Sequence, residues 1–242
     1  FMRKPIKGLH FSTENFYFEL FKNFNDRNFE IEFKICPLIS RGIFNRVYLC
    51  LWAFFNQGSI NHICGDINFI SIFMNKKKTI NTFLDFYSMR RLKGLKKLIY
   101  YIFWVIIPFF KSRKVITISK KTFNELKNLI KIKNKKDINI IGISILPSFK
   151  KKLKKKLSKN PKILVVGTSI NKNIKNIILS LKNVKCDLVL VGKLSNELIK
   201  ELALNNICYK NLASISKRKL IREYINCDIV LFPSNYEGFG MP

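Results

Sequence analysis

The sequence predicts an α/β protein made of two domains, each with a parallel sheet. Short apolar runs alternate with segments of helical periodicity in both halves of the chain. A lysine-rich segment between Lys150 and Lys156 separates the two series. We therefore expect an N-terminal domain at residues 1–147, a basic linker at 148–160 and a C-terminal domain at 161–242.

The elements of the N-terminal domain follow from their periodicity. Aromatic side chains at helical spacing predict a helix over residues 15–24, and a second apolar segment predicts one over 43–55. Ser119 is a suitable N-cap for a helix over residues 120–130. Short runs of alternating or apolar residues predict the strands, at 30–36, 59–63, 78–83, 114–118 and 138–143.

The C-terminal domain shows strand, helix and strand in repeated order, which predicts a doubly wound sheet. Its last apolar run, residues 228–232, is typical of a buried parallel strand. A Pro-Ser-Asn turn follows it and carries Glu237, with Gly238 and Gly240 directly behind. Ligands of open α/β sheets bind at the carboxyl ends of the strands, and glycines let backbone N–H groups approach them. We interpret this turn as part of a binding site.

A second loop of the C-terminal domain has the chemistry of a phosphate site. Gly167 follows the strand at residues 162–166, and Lys172 stands where the next helix begins. A helix N-terminus and a lysine both favour bound phosphate.

Together these two loops resemble a known family. Gly167-Thr-Ser-Ile-Asn-Lys172-Asn173 and Pro233-Ser-Asn-Tyr-Glu237-Gly-Phe-Gly-Met-Pro242 are similar to the motifs of the retaining family-4 glycosyltransferases, or glycosyl transferases group 1. The resemblance implies a GT-B fold with two Rossmann-like, doubly wound domains. The family motif has a second glutamate that would fall beyond Pro242, so we expect a fragment whose second domain is incomplete and which is inactive by itself.

The resemblance also implies a reaction. The enzyme would move a sugar from a nucleotide diphosphate sugar to a glycan or a lipid-linked acceptor, with retention of configuration, in the synthesis of cell-envelope glycans. Its catalytic residues would be Glu237, Asp85 and His62. Neither a metal nor a cofactor is implied. The donor-binding residues would be Gly8, Gly167, Thr168, Lys172, Asn173, Asn211, Leu212, Gly238, Phe239 and Gly240.

Two other functions stay open. Leu84 stands beside Asp85 where the family often has a histidine, so a noncatalytic or degenerate GT-B fragment is one alternative. A net charge of +30 and a pI of about 10.1 would suit a basic nucleic-acid-binding protein. No nucleic-acid-binding motif accompanies this charge, so we expect no nucleic-acid partner.

The most apolar run, residues 98–110, has basic residues on both flanks and is too short to span a bilayer. It is interpreted either as a core helix or as a partly exposed face that docks on an anionic membrane. The six cysteines have no Cys-x-x-Cys pair, which favours reduced thiols. We therefore expect a cytoplasmic protein that acts peripherally at the inner face of the cell membrane.

Overall fold

A computed structural model describes residues 1–5, 12–24, 28–131, 138–143 and 158–241. The chain divides into two compact units at residues 144 and 145, and Gly238–Met241 group with the first unit. Each unit has its own parallel sheet, which confirms the predicted α/β class with two sheets. Most of the expected linker at 148–160 lies outside the described residues, so its bounds stay a prediction.

The first unit contains a parallel sheet of four strands in the order β1-β2-β3-β4. Asn61 pairs with Thr79, and Ile80 pairs with Lys114. The strands are β1 (Asn61–Ile63), β2 (Thr79–Phe83), β3 (Lys114–Thr117) and β4 (Ile138–Ile140). The helices are α1 (Ser12–Lys22), α2 (Ile43–Phe55), α3 (Tyr87–Arg91), α4 (Gly94–Tyr100), α5 (Ile107–Phe110) and α6 (Lys120–Ile130). Short 3₁₀ turns lie at Asn68–Phe73 and Lys76–Lys78, and a π-helical turn, Tyr101–Ile106, joins α4 to α5.

Helix α6 begins where the sequence predicts. The Ser119 hydroxyl accepts a hydrogen bond from the Thr122 N–H at 3.1 Å, which is the expected N-cap contact.

The predicted strand at residues 30–36 is wrong. Only Ile35 forms a β-bridge, to Met2, and Met2 bridges in turn to Cys64. The Met2 N–H donates to Lys34 O at 2.9 Å, and the Cys36 N–H donates to Met2 O at 2.8 Å. A single paired residue gives too few ladder hydrogen bonds to form a strand, whatever the alternation of the sequence.

The second unit has strands in the order β7-β6-β5-β8, all parallel. They are β5 (Lys162–Val166), β6 (Asp187–Val191), β7 (Tyr209–Leu212) and β8 (Ile229–Val230). Its helices are α7 (Ile174–Leu181), α8 (Asn196–Leu204) and α9 (Lys217–Asn226), and a 3₁₀ turn, Ile170–Lys172, precedes α7. The chain order of the strands reverses next to β5, as in a doubly wound sheet.

Both faces of this second sheet are covered. Ile163 and Val165 of β5 belong to a buried cluster with side chains of α7 and α8. Leu164 points to the opposite face, where it clusters with Cys227 and Tyr224 at the end of α9. The alternation along β5 therefore fills two cores, which explains why this strand is apolar throughout.

The strand predicted at residues 228–232 is shorter and less buried than expected. Only Ile229 and Val230 form β8, and they are 36% and 37% exposed. Among the described strands it lies at the edge of the sheet and pairs only with β5.

A chain of hydrogen-bonded polar side chains crosses the core of the first unit. Buried Asn81 donates from Nδ2 to Ser112 Oγ at 2.8 Å and accepts at Oδ1 from Asn68 Nδ2 at 3.0 Å. These contacts connect β2 to the 3₁₀ turn after β1 and to the turn between α5 and β3. Such buried networks are stable only while their members stay paired.

We expect Asn81→Ala to lower the free energy of unfolding of the first unit by about 2–3 kcal/mol, because it removes two buried hydrogen bonds and opens a cavity. Urea unfolding of the full chain measures this loss. Asn128→Ala is the matched control, since Asn128 is exposed on α6 and its loss should cost less than about 0.5 kcal/mol. An equal loss in both variants would contradict the role of the network.

Candidate functional site

The candidate site lies at the carboxyl edge of the second sheet and begins with the turn after β5. Gly167 donates its N–H to Val191 O at 2.8 Å and has a φ of +93°. A Cβ on this residue would lie 2.9 Å from Cε of Lys172. Glycine therefore provides a backbone conformation that other residues rarely adopt, and it leaves room for the lysine side chain to fold back over the turn.

Lys172 and Glu237 form the centre of the site. Nζ of Lys172 lies 2.6 Å from Oε1 of Glu237, and the two side chains are only 15% and 25% exposed. The same ammonium group lies 4.5 Å from the ring centroid of Phe232. A cation held between a carboxylate and an aromatic face is partly shielded from water, which strengthens its electrostatic interactions.

Asparagines on either side of Lys172 connect its loop to the Glu237 loop. Asn171 donates from Nδ2 to Tyr236 O at 3.0 Å and to Glu237 Oε1 at 3.3 Å. Asn235 N–H donates to Asn171 O at 2.8 Å. Asn173 donates from Nδ2 to Pro233 O at 3.3 Å. The two loops are therefore fixed to each other by backbone and side-chain hydrogen bonds, and the position of Glu237 follows from that of Asn171.

Thr168 and Asn211 interact with the strand ends beside this centre. The Thr168 hydroxyl donates to Lys193 O at 2.7 Å and packs against Gly192, whose φ is +140°. Asn211 donates from Nδ2 to Gly192 O at 2.8 Å, and Leu212 is buried. These hydrogen bonds fix the ends of β5, β6 and β7 relative to one another, next to the loops that carry Lys172 and Glu237.

The other predicted site residues group with the first unit or lie outside the described residues. Gly238, Phe239 and Gly240 group with the first unit, in which Gly238 O accepts a hydrogen bond from Ser119 Oγ at 2.5 Å. Asp85 follows β2 in the first unit and accepts a hydrogen bond at Oδ1 from the Tyr87 N–H at 2.9 Å. Gly8 lies outside the described residues. The structure thus brings Gly167, Lys172, Asn173 and Glu237 together on two hydrogen-bonded loops. Thr168, Asn211 and Leu212 lie at the ends of the neighbouring strands of the same sheet.

His62 is in β1 of the first unit and is largely surrounded by other side chains. Its Nε2 lies 2.7 Å from the Thr82 hydroxyl oxygen, and its ring meets Tyr17 edge-on at 5.8 Å between centroids. Burial lowers the pKa of His62 to about 4, so the imidazole is neutral at pH 7. The predicted catalytic role of His62 and Asp85 stays a prediction.

Two polar side chains that could take part in binding or catalysis were not among the predicted site residues. Asn171 was missed, although two asparagines flanking the loop lysine are visible in the sequence. Asp66 follows β1, and its carboxyl group is surrounded by protein although part of the residue is exposed to solvent. Its Oδ1 lies 3.4 Å from the Tyr100 hydroxyl oxygen. Desolvation of the carboxyl raises the pKa of Asp66 to about 6. The part of the chain that the structure describes holds no cluster of acidic, histidine and cysteine side chains that could bind a metal.

Comparison with protein families gives a match in the C-terminal part of the chain. Residues 148–242, less than half of the chain, match the family of glycosyl transferases group 1. No curated protein sequence gives a significant match. The family match covers the second unit, which carries Lys172 and Glu237.

Solved structures show the same fold over a larger part of the chain. A TarM variant from S. aureus, crystallised with fondaparinux, alpha-GlcNAc-glycerol and UDP, aligns with a TM-score of 0.56 and 14% identity over 80% of this chain and 41% of that chain. Another TarM crystal structure aligns with a TM-score of 0.55 and 14% identity over 81% of this chain and 41% of that chain. The chain has a GT-B-like α/β fold and spans about two fifths of the length of these structures.

Gly167→Ala should destabilise the second unit by about 1–3 kcal/mol, because alanine is strained at a positive φ and its Cβ displaces Lys172. Hydrogen exchange of the β5 amides in increasing urea measures the change in that unit. Gly58→Ala is the control: its φ is not positive, and a Cβ there meets nothing closer than 3.8 Å, so stability should be unchanged or slightly higher.

His62 should lower the stability of the first unit as the pH falls from about 6.5 to about 4, whereas Asp66, which the folded chain protonates near pH 6, should act in the opposite direction over the same range. The folded chain keeps His62 neutral down to about pH 4, whereas the unfolded chain takes up a proton near pH 6.5, so acid favours unfolding. The loss attributable to His62 is about 2–3 kcal/mol at pH 4. Urea unfolding of the wild type and of His62→Gln at pH 7 and pH 4.5 isolates the contribution of His62. An equal change in the free energy of unfolding of both proteins would contradict this contribution.

Proposed function

We propose that this chain is the donor-binding part, together with the first unit, of a glycosyltransferase that takes its sugar from a nucleotide diphosphate sugar. The observation that carries the proposal is the Lys172–Glu237 pair, held at 2.6 Å at the carboxyl edge of a doubly wound sheet. That edge is where α/β sheets bind ligands, and the surrounding residues match glycosyl transferases group 1.

Lys172 would bind the diphosphate. When the bond between sugar and diphosphate breaks, negative charge grows on the leaving phosphate, and a fixed cation stabilises that charge. Lys172 is suited to this because Phe232 and the Gly167 turn limit where its ammonium group can lie. The first turn of α7 starts two residues later and adds the positive end of its dipole.

Glu237 would act on the sugar. In the structure its carboxylate neutralises Lys172, so a bound diphosphate would compete with Glu237 for the ammonium group. After release from Lys172 the Glu237 carboxylate, oriented by Asn171, would accept hydrogen bonds from sugar hydroxyls and fix the orientation of the sugar. On binding, Lys172 would thus exchange its ion pair with Glu237 for an ion pair with the diphosphate.

The finer parts of the proposal rest on the sequence motifs. These are the family-4 assignment, retention of configuration, a glycan or lipid-linked acceptor, a role in cell-envelope glycan synthesis and a cytoplasmic location at the inner face of the membrane. Asp85 and His62 are proposed to act on the acceptor side. Leu84 favours the alternative of a noncatalytic relative, since its side chain forms no hydrogen bond in the place of the family's histidine.

Lys172→Ala in the full chain should weaken nucleotide diphosphate binding by about 1.5–3 kcal/mol, because one charge-assisted contact is lost. Calorimetric titration with UDP, GDP and ADP measures this and identifies the base. Lys175→Ala is the matched control, since Lys175 lies one turn further on and is paired with Glu197 at 2.5 Å.

The control variant should bind as the wild type does. Equal affinity in the wild type and Lys172→Ala would remove Lys172 from the donor site. A wild-type chain that binds none of the three nucleotides would contradict the proposed donor class.

A further inference from the structure

An exposed apolar stripe runs along one side of the helical segment Gly94–Phe110 in the first unit. This segment is continuous, because α4 passes through the π-helical turn into α5 without leaving helical backbone angles. Leu95, Leu98, Ile99 and Phe103 are 70%, 52%, 44% and 38% exposed. Their spacing of three, four and eight residues places them on one face of the helix.

The opposite face of the same segment belongs to the core. Trp104, Val105 and Phe109 are buried, and Trp104 packs on Phe69 at 4.7 Å between ring centroids. The interpretation as a core helix is therefore correct for one face of the segment, and the other face is exposed. Because the inner face is fixed in the core, the stripe cannot turn inward.

Exposed cations flank the stripe at both ends. None of them forms a salt bridge with any residue in the described ranges, whereas nearby Arg90 is paired with Glu125 at 2.7 Å. The flanking cations are Lys93, Lys96, Lys97, Lys111, Arg113 and Lys114. An apolar stripe between unpaired cations matches the surface of an anionic bilayer, where phosphates lie above the acyl chains.

We propose that the stripe docks the first unit on an anionic phospholipid membrane, with Leu95, Leu98, Ile99 and Phe103 at the acyl boundary and the flanking cations on the lipid phosphates. The helix would lie in the plane of the membrane, because no helix in the described ranges is long and apolar enough to cross a bilayer. This inference is independent of sugar transfer.

Charge distinguishes this stripe from a second apolar face, on α2. There Phe44 and Phe55 are 91% and 79% exposed. The one cation of α2, Arg46, stacks on Trp104 at 4.8 Å and does not flank that face. Exposed Arg41 precedes this face, whereas six exposed cations flank the stripe of the Gly94–Phe110 segment. The proposal is therefore confined to that stripe, which has the higher density of positive charge beside it.

Co-sedimentation of the full chain with vesicles tests the proposal. Binding should be strong with vesicles of phosphatidylcholine and phosphatidylglycerol, weak with phosphatidylcholine alone, and reduced by high salt. The variant Lys93→Gln/Lys96→Gln/Lys97→Gln should bind anionic vesicles roughly a hundred-fold more weakly, at about five-fold per lysine. The variant Leu95→Ser/Leu98→Ser should lose binding to a similar extent.

Matched variants in the second unit separate the stripe from the general charge of the chain. Lys182→Gln/Lys185→Gln/Lys200→Gln removes three exposed lysines, and Leu204→Ser removes a side chain that is 78% exposed. Both should bind vesicles as the wild type does. If the lysine control loses as much affinity as the stripe variant, overall charge explains binding and the proposal is overturned.

A tryptophan reporter tests insertion directly. In Leu98→Trp the new indole should shift its emission to the blue on anionic vesicles and be quenched by lipids brominated in the upper acyl chain. Leu204→Trp should show neither change. Binding of vesicles without a shift in Leu98→Trp would show that the stripe does not enter the lipid, and equal binding to neutral vesicles would remove the role of the cations.

Discussion

Parallel pairing of β5 with β6 and β8 is the constraint on which the candidate site depends. Leu164 pairs with Val189 of β6 and with Val230 of β8, so all three strands end at the same edge. Loops that are far apart in sequence, after β5 and after β8, must then meet there. Lys172 and Glu237 are 65 residues apart and still touch, because each follows a strand of the same sheet at a short distance.

The Lys172–Glu237 pair is more than a surface ion pair. Exposed pairs contribute little to stability, but these side chains are partly buried and Asn171 also binds the carboxylate. The pair neutralises a largely buried cation, and the proposed function requires a bound diphosphate to replace the carboxylate. The charge of +30 raises the concentration of every anion near the surface, so selectivity must come from the arrangement of the loops.

Local secondary structure was predicted from the sequence more accurately than contacts between residues that are far apart in the chain. Helix α6 was predicted from its cap and periodicity, and the α/β class from alternation, because both are local signals. The strand at 30–36 failed because strand formation needs a partner, and among the residues that the structure describes only Met2 provides one. The burial of Ile229 was overestimated because sheet order, which puts β8 at an edge, is not local. Lys172 and Glu237 were named as site residues, but their contact and the role of Asn171 depend on how two distant loops meet.

The central claim is that Lys172 exchanges Glu237 for a diphosphate. The affinity of Glu237→Gln for the nucleotide diphosphate that the wild type binds tests this most directly, by calorimetry at fixed ionic strength. Removing the competing and repelling carboxylate should tighten diphosphate binding by roughly three- to ten-fold, while Lys172 stays in place. Unchanged or weaker binding by Glu237→Gln would contradict the exchange, since the carboxylate would then not compete with the ligand for Lys172.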